Sequence, residues 1–168
     1  MPYPDGSFDV VMNLIGSMFA PRPELVASEM HRVCRSGGRI AMGNWTPDSH
    51  IGQMFKVIGR HVPPPPQFPS PLLWGDEATC RGRLGAGVSD LTITRHLYPF
   101  EYPLAPAQVV GFFIEDYGPT HRAYLSLPDE SQRALHTDLT ALWTRNNDAT
   151  DGTTRVLAEY IEVVGTRS

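Results

Sequence analysis

The sequence predicts an α/β fold, and three features of its first 45 residues carry that prediction. Phe8–Leu14 is a short, nearly continuous apolar run, typical of a parallel-sheet strand that is covered on both faces. Residues 23–35 repeat apolar side chains at helical spacing, and residues 39–45 are expected to form the next strand. A strand, a helix and a strand with short links cross over right-handed, so we expect two parallel neighbouring strands.

Local signals set the bounds of this strand–helix–strand unit. Pro23 suits the first turn of a helix, because the missing N–H has no partner to lose there. Gly37 is expected to end the helix in the left-handed conformation. Pro47 follows the second strand and is expected to stop it.

The rest of the chain predicts further helices and two further strands. Four consecutive prolines, residues 63–66, end one helix and begin an extended surface loop. Gly118 and Pro119 are expected to end another helix. The predicted helices are residues 50–62, 75–84, 107–117 and 129–146, and the predicted strands are residues 87–102 and 155–166.

Composition predicts one domain over residues 1–168, with a net charge of −4 and no basic stripe that would favour nucleic acid. Cys34 and Cys80 cannot form a disulfide framework, which indicates a reducing compartment, and Cys34 is expected in the core. No segment predicts a membrane span or a signal peptide, so a cytoplasmic location is expected. The six histidines show no metal-type pairing, so no metal is expected.

Two segments resemble one enzyme family. Residues 2–11, Pro-Tyr-Pro-Asp-Gly-Ser-Phe-Asp-Val-Val, resemble the approach to the fourth strand of class I S-adenosylmethionine-dependent methyltransferases. Residues 29–40 resemble the helix and fifth-strand motif of that family, with Ser36 where proline is usual. The best match is the type 11 branch, which acts on small molecules, and the segments around Trp45 and Trp74 resemble one bacterial subgroup of it.

The resemblance implies a partial Rossmann-like methyltransferase sheet. On that map the chain is the C-terminal portion of the domain and supplies strands four to seven, in the order 4-5-7-6, with the last strand antiparallel. The family's glycine-rich cofactor loop and its acidic ribose-binding residue have no counterpart in residues 1–168. The implied function is methyl transfer from S-adenosyl-L-methionine to a small-molecule acceptor by a truncated chain. The alternative is a non-catalytic binding or interaction module that has lost the cofactor-binding half.

The loops at the carboxyl ends of the first two strands are the predicted site, because ligands of open α/β sheets bind at that edge. The resemblance assigns four residues to the cofactor: Asn13, Gly16, Met18 and Phe19. It assigns three residues to the methyl acceptor: Trp45, Thr46 and Trp74.

Other interpretations of these residues stay open. Phe19 and Trp45 are equally well explained as core anchors, and Trp74 as a core residue. His50, His61 and His121 lie near loops and could serve as a base, but a histidine in such a position is more often an ordinary surface residue, so no catalytic residue is assigned.

The first strand also predicts an association surface. In the complete family sheet strand four is central, so without strand one the backbone edge of residues 10–14 has no partner. Exposed apolar edges recruit other chains. We therefore expect self-association through this edge, or pairing there with a separate chain that carries strands one to three. A gene start placed too far downstream is the alternative explanation.

Overall fold

The computed structural model describes residues 1–168 as a four-stranded sheet with six α-helices. The strands are β1 (Phe8–Leu14), β2 (Cys34–Trp45), β3 (Val88–Tyr102) and β4 (Thr154–Arg167). The helices are α1 (Pro23–Val33), α2 (His50–His61), α3 (Glu77–Leu84), α4 (Pro106–Asp116), α5 (Gly118–Leu125) and α6 (Asp129–Asn146). Short 3-10 turns cover Gly16–Phe19, Pro71–Trp74 and Gly85–Gly87.

The strand–helix–strand prediction is confirmed. β1 and β2 are parallel, with Val11 opposite Ile40 and Leu14 opposite Gly43. The strand order is β1-β2-β4-β3, and β4 runs antiparallel to β2. Because β1 and β2 run in the same direction, their carboxyl ends meet at one edge of the sheet.

The link between α1 and β2 differs from the prediction. The helix ends at Val33 and the strand begins at Cys34, so Gly37 lies inside β2. Gly37 has the expected positive φ of 72°, but there it forms an irregularity in the strand, where the register passes from Phe8 opposite Cys34 to Val10 opposite Arg39. The left-handed residue therefore bends a strand and does not cap a helix.

The prediction that β1 is covered on both faces is wrong for this structure. Val10, Met12 and Leu14 are 57%, 66% and 65% exposed. Side chains two residues apart in a strand share a face, so these residues form one continuous exposed apolar row. No other element covers this face of β1, which also lies at the end of the sheet and pairs only with β2.

Most of the remaining predicted elements are confirmed within a few residues, and one helix was missed. α4 ends at Asp116, one residue before the predicted end, and Gly118 and Pro119, which were expected only to end that helix, also begin α5. Proline is well tolerated in the first turn of a helix, so one dipeptide can end one helix and begin the next.

The chain forms two compact units, each with its own apolar core. The first unit comprises residues 1–47, 66–96 and 159–168, and the second comprises residues 48–65 and 97–158. Buried side chains of the first unit include Met42, Cys34 and Cys80, which confirms the core prediction for Cys34. In the second unit α6 packs against α2 and α4, with Trp143 fully buried. None of the helices combines the length and the apolar character that crossing a bilayer requires.

Candidate functional site at the carboxyl ends of β1 and β2

The chain after β1 is tied to β2 where both strands end. The backbone N–H of Ile15 donates to the carbonyl of Gly43 at 2.8 Å, and the Gly16–Phe19 turn follows immediately. Ile15 has φ of 65°, in the left-handed region that β-branched residues rarely adopt. Such strain costs about 1–3 kcal/mol and is concentrated at functional sites.

The four predicted cofactor residues differ in their hydrogen bonds and in their exposure to solvent. Asn13 Oδ1 accepts a hydrogen bond from the Ser17 N–H at 2.9 Å and so holds the turn closed. Gly16 is exposed, and an added Cβ would meet only the Asn13 amide at an ordinary 3.7 Å. Met18 is 5% exposed, whereas Phe19 is 51% exposed. Phe19 and Gly16 are thus open to a ligand from solvent, while Met18 is part of the core.

The residues after β2 are held by β4. The Thr46 hydroxyl donates to the Glu159 carboxylate at 3.0 Å, and the Thr46 N–H donates to the Glu159 carbonyl at 3.1 Å. Arg95 pairs with the same carboxylate at 2.8 Å. Trp45 is half-buried and meets Tyr160 edge-on at 6.0 Å. These contacts fix the direction in which the chain leaves the sheet.

Trp74 reaches the same edge from a distant part of the sequence. The Pro71–Trp74 turn packs against both the Gly16–Phe19 turn and β2. A Cβ on Gly75 would lie 1.8 Å from the Trp45 carbonyl oxygen, so the two backbones touch at this point. The structure therefore brings together the three segments that contain the predicted cofactor and acceptor residues.

The Trp74 ring does not lie open to solvent as a stacking surface. It is 2% exposed, and the Arg83 guanidinium lies 4.6 Å above its centroid. The core interpretation of Trp74 is the one that this structure bears out.

Sequence reasoning missed the polar atoms that are buried around this edge. Ser17 and Asn44 are 2% and 1% exposed, and neither the Ser17 hydroxyl nor either polar atom of the Asn44 amide has a hydrogen-bond partner. Trp74 Nε1 and Arg83 Nη1 are also buried without a partner. The only sequence signal was a single polar residue, Asn44, in the apolar end of β2.

The three candidate histidines are held by contacts of their own. Burial, reinforced by Arg145, lowers the pKa of His50 to about 4, and the Asn146 amide lies 3.0 Å from its Nδ1. His61 Nε2 lies 2.9 Å from an Asp138 carboxylate oxygen, and His121 Nδ1 lies 2.9 Å from the Ile114 carbonyl. All of these residues belong to the second unit.

The surface of each unit is grooved, and two of the grooves carry distinct linings. One of about 380 Å³ lies between β1 and α1, with a mostly apolar lining that includes Val11, Leu25 and Met30. The other, of about 500 Å³, carries Glu101, Asp148 and Arg155. No group of three or more histidine, cysteine, aspartate or glutamate side chains is placed to hold a metal ion.

A family comparison matches the first part of the chain. Residues 1–42 match the type 11 methyltransferase model, described as a methyltransferase domain. This segment contains β1, α1 and most of β2, and therefore the strands that form the candidate site.

Curated relatives match a larger part of the chain. An uncharacterized protein of Mycobacterium tuberculosis is 37% identical over 139 residues, which are 82% of this chain and 51% of that protein. A phosphatidylethanolamine N-methyltransferase of Cereibacter sphaeroides is 43% identical over 44 residues, which are 26% of this chain and 22% of that protein. The chain spans about half the length of the mycobacterial relative.

Solved structures share the fold. The YcgJ protein from Bacillus subtilis aligns with a TM-score of 0.55 at 14% identity, over 99% of this chain and 67% of that one. A protein of Bacillus halodurans assigned as a methyltransferase aligns with a TM-score of 0.52 at 18% identity, with the same coverage of both chains. Over residues 1–42 the chain is therefore similar to the type 11 methyltransferase domain, and its α/β fold is shared with these solved structures.

Proposed function

We propose that the chain is part of an enzyme that transfers a methyl group from S-adenosyl-L-methionine to a small molecule, and that its strand ends contact both the cofactor and the acceptor. The observation that carries this is the coincidence of two facts. The family model matches the β1-α1-β2 unit, and the carboxyl ends of those two strands hold the predicted residues together. Ligands of open α/β sheets bind at this edge.

The sheet supports a finer assignment of the strands. The order β1-β2-β4-β3, with β1 parallel and β4 antiparallel to β2, has the pattern expected for strands four, five, seven and six of the family sheet. In this proposal residues 1–168 act as one methyltransferase portion, and the glycine-rich cofactor loop belongs to a part of the sheet that these residues do not contain.

In this assignment the cofactor lies against the turn after β1. Asn13 shapes the turn, Gly16 leaves its backbone open, and Phe19 offers an exposed ring beside the buried Met18. The acceptor lies against the end of β2, where β4 fixes Trp45 and Thr46. The segment that contains Trp74 packs closely against the Trp45 backbone. Methyl transfer depends mainly on positioning the two reactants, which a rigid pair of strand ends can provide.

Isothermal titration of S-adenosyl-L-homocysteine into the chain tests the proposal. Micromolar binding that is weakened about tenfold or more by Phe19→Ala is the expected result. The matched control is Phe68→Ala, which removes a similarly exposed ring (49%) outside the candidate site. Absence of binding would favour the alternative, a non-catalytic interaction module.

We also propose that the unpaired backbone edge of β1 pairs with a second copy of the chain. The strand carries no lysine and no proline, which commonly protect sheet edges, and its Val10, Met12 and Leu14 side chains are largely exposed. Light scattering coupled to size exclusion is expected to give a dimer for the native chain and a monomer for Val10→Lys. A native chain that stays monomeric at high concentration would contradict this pairing.

A further inference from the structure

Asn44 is a carboxamide without a partner at the point where β2 ends. It is 1% exposed, and neither Oδ1 nor Nδ2 forms a hydrogen bond. Buried polar groups in folded proteins nearly always have a partner, because removing them from water without one costs free energy. An unpaired amide at this position therefore requires an explanation.

The neighbours of Asn44 place it at the candidate site. It follows Gly43, whose carbonyl accepts from the N–H of the strained Ile15. On β2 it shares a face with Ile40 and Met42, which are 2% and 1% exposed and apolar. A polar residue thus occupies the last position of a core face, next to the backbone strain of the Gly16–Phe19 turn.

A second unpaired group lies in that same turn. The Ser17 hydroxyl is buried and has no partner, although the Ser17 N–H is bonded to Asn13. The backbone of the turn is therefore satisfied by the protein while the side-chain hydroxyl is left over. Asn44 and Ser17, which follow adjacent strands, are thus both buried with side-chain polar atoms that lack a hydrogen-bond partner.

We propose that Asn44, assisted by Ser17, is a specificity residue that binds a hydroxyl or amino group of the ligand. A carboxamide offers one acceptor and two donors, and a serine hydroxyl both donates and accepts. The complementary group must therefore donate and accept at once, which alcohols and neutral amines do. This inference rests on the proposed function, and such a group can come from the cofactor or from the methyl acceptor.

The ligand-free chain supplies the first test. Asn44→Leu keeps the number and branching of heavy atoms but removes the unpaired polar atoms, so its thermal midpoint is expected to rise by about 2–4 °C. The matched control is Asn147→Leu, because Asn147 Oδ1 accepts from the Ala149 and Arg155 N–H groups and its Nδ2 donates to Thr153. The control midpoint should fall. A fall for Asn44→Leu as well would overturn the inference.

The ligand arm uses the side-chain amide signal of Asn44 in a ¹⁵N NMR spectrum, identified by its loss in Asn44→Leu. S-adenosyl-L-homocysteine and ethanolamine are added separately as probes. A shift with the first assigns the recognised group to the cofactor, and a shift with the second assigns it to the acceptor. If neither probe moves the signal, the inference is wrong.

Calorimetry with S-adenosyl-L-homocysteine separates this failure from failure of the proposed function. If the native chain binds the compound but neither probe shifts the Asn44 signal, the proposed function is supported and the proposed role of Asn44 is wrong. If no binding occurs but Asn44→Leu raises the midpoint and ethanolamine moves the signal, the role of Asn44 stands without the cofactor.

Discussion

Lowering the pH from 7 to 5 is expected to destabilise the chain through His50. This imidazole is 2% exposed, and burial followed by the charge of Arg145 lowers its pKa from 6.5 to about 4. The folded state therefore keeps His50 neutral, while the unfolded state binds a proton below pH 6.5. Stability that depends on this group is complete above pH 6.5 and is lost as the pH falls toward 4.

The magnitude follows from the two pKa values. Each pH unit between 6.5 and about 4 lowers the free energy of unfolding by 1.36 kcal/mol, so the full loss is about 3 kcal/mol. By pH 5 the loss is about 2 kcal/mol, since the unfolded imidazole is then almost fully protonated and the folded one is not. Asp and Glu side chains contribute mainly at lower pH, which leaves this window to histidine.

Urea unfolding at pH 7 and pH 5, for the native chain and for His50→Phe, measures the effect. The phenylalanine ring can keep the edge contact with Trp143, which is 4.2 Å between centroids, but it cannot titrate. We expect the pH dependence of the free energy of unfolding to shrink by about 2 kcal/mol in the variant. Parallel losses in both proteins would refute the assignment of the buried, neutral state to His50.

Other expectations concern packing and cooperativity. Gly75→Ala should lower the free energy of unfolding by about 1–3 kcal/mol, because the added Cβ would lie 1.8 Å from the Trp45 carbonyl oxygen. Gly82→Ala is the matched control: no atom lies within 4 Å of its added Cβ, so it should raise the free energy of unfolding by up to about 1 kcal/mol. Cys34 and Cys80 should resist Ellman's reagent at pH 8 in the folded chain, since burial raises both thiol pKa values, that of Cys80 to about 11; rapid labelling would contradict their burial. Calorimetry should show one unfolding transition if residues 1–168 behave as one domain, because β3 and β4 each continue from one unit into the other, and two resolved transitions would contradict this.

The backbone plan of the first unit was predictable because its signals are local. The apolar run of β1, the helical spacing that follows and the short links to the next strand each report on neighbouring residues, and together they predict a parallel pair. The long helix α6 was predictable for the same reason, since its buried Leu135, Leu139 and Leu142 recur at helical spacing.

The exposure of β1 and the role of Gly37 were not predictable from local signals. An apolar strand has the same sequence whether or not another element covers it, so the exposure of Val10 and Met12 depends on whether that face of the sheet is covered. Gly37 has the positive φ that was expected, but whether such a residue ends a helix or bends a strand depends on the register with β1.

The site shows the same division. Its location followed from the strand ends, but the burial of Trp74 depends on contacts with Arg83 and on the close approach of Gly75 to Trp45. Asn44 escaped notice because a lone amide in an apolar strand does not reveal whether the fold will satisfy it. In the folded chain both polar atoms of the amide lack a hydrogen-bond partner.

Cross-linking of methyl-labelled S-adenosyl-L-methionine under ultraviolet light, followed by tryptic mapping, tests the central claim most directly. The account predicts label in the peptides of residues 1–32 and 40–56, which contain the ends of β1 and β2, and loss of that label when S-adenosyl-L-homocysteine is in excess. Competable label confined to the peptides that carry Glu101, Asp148 and Arg155 would contradict the placement of the cofactor at these strand ends.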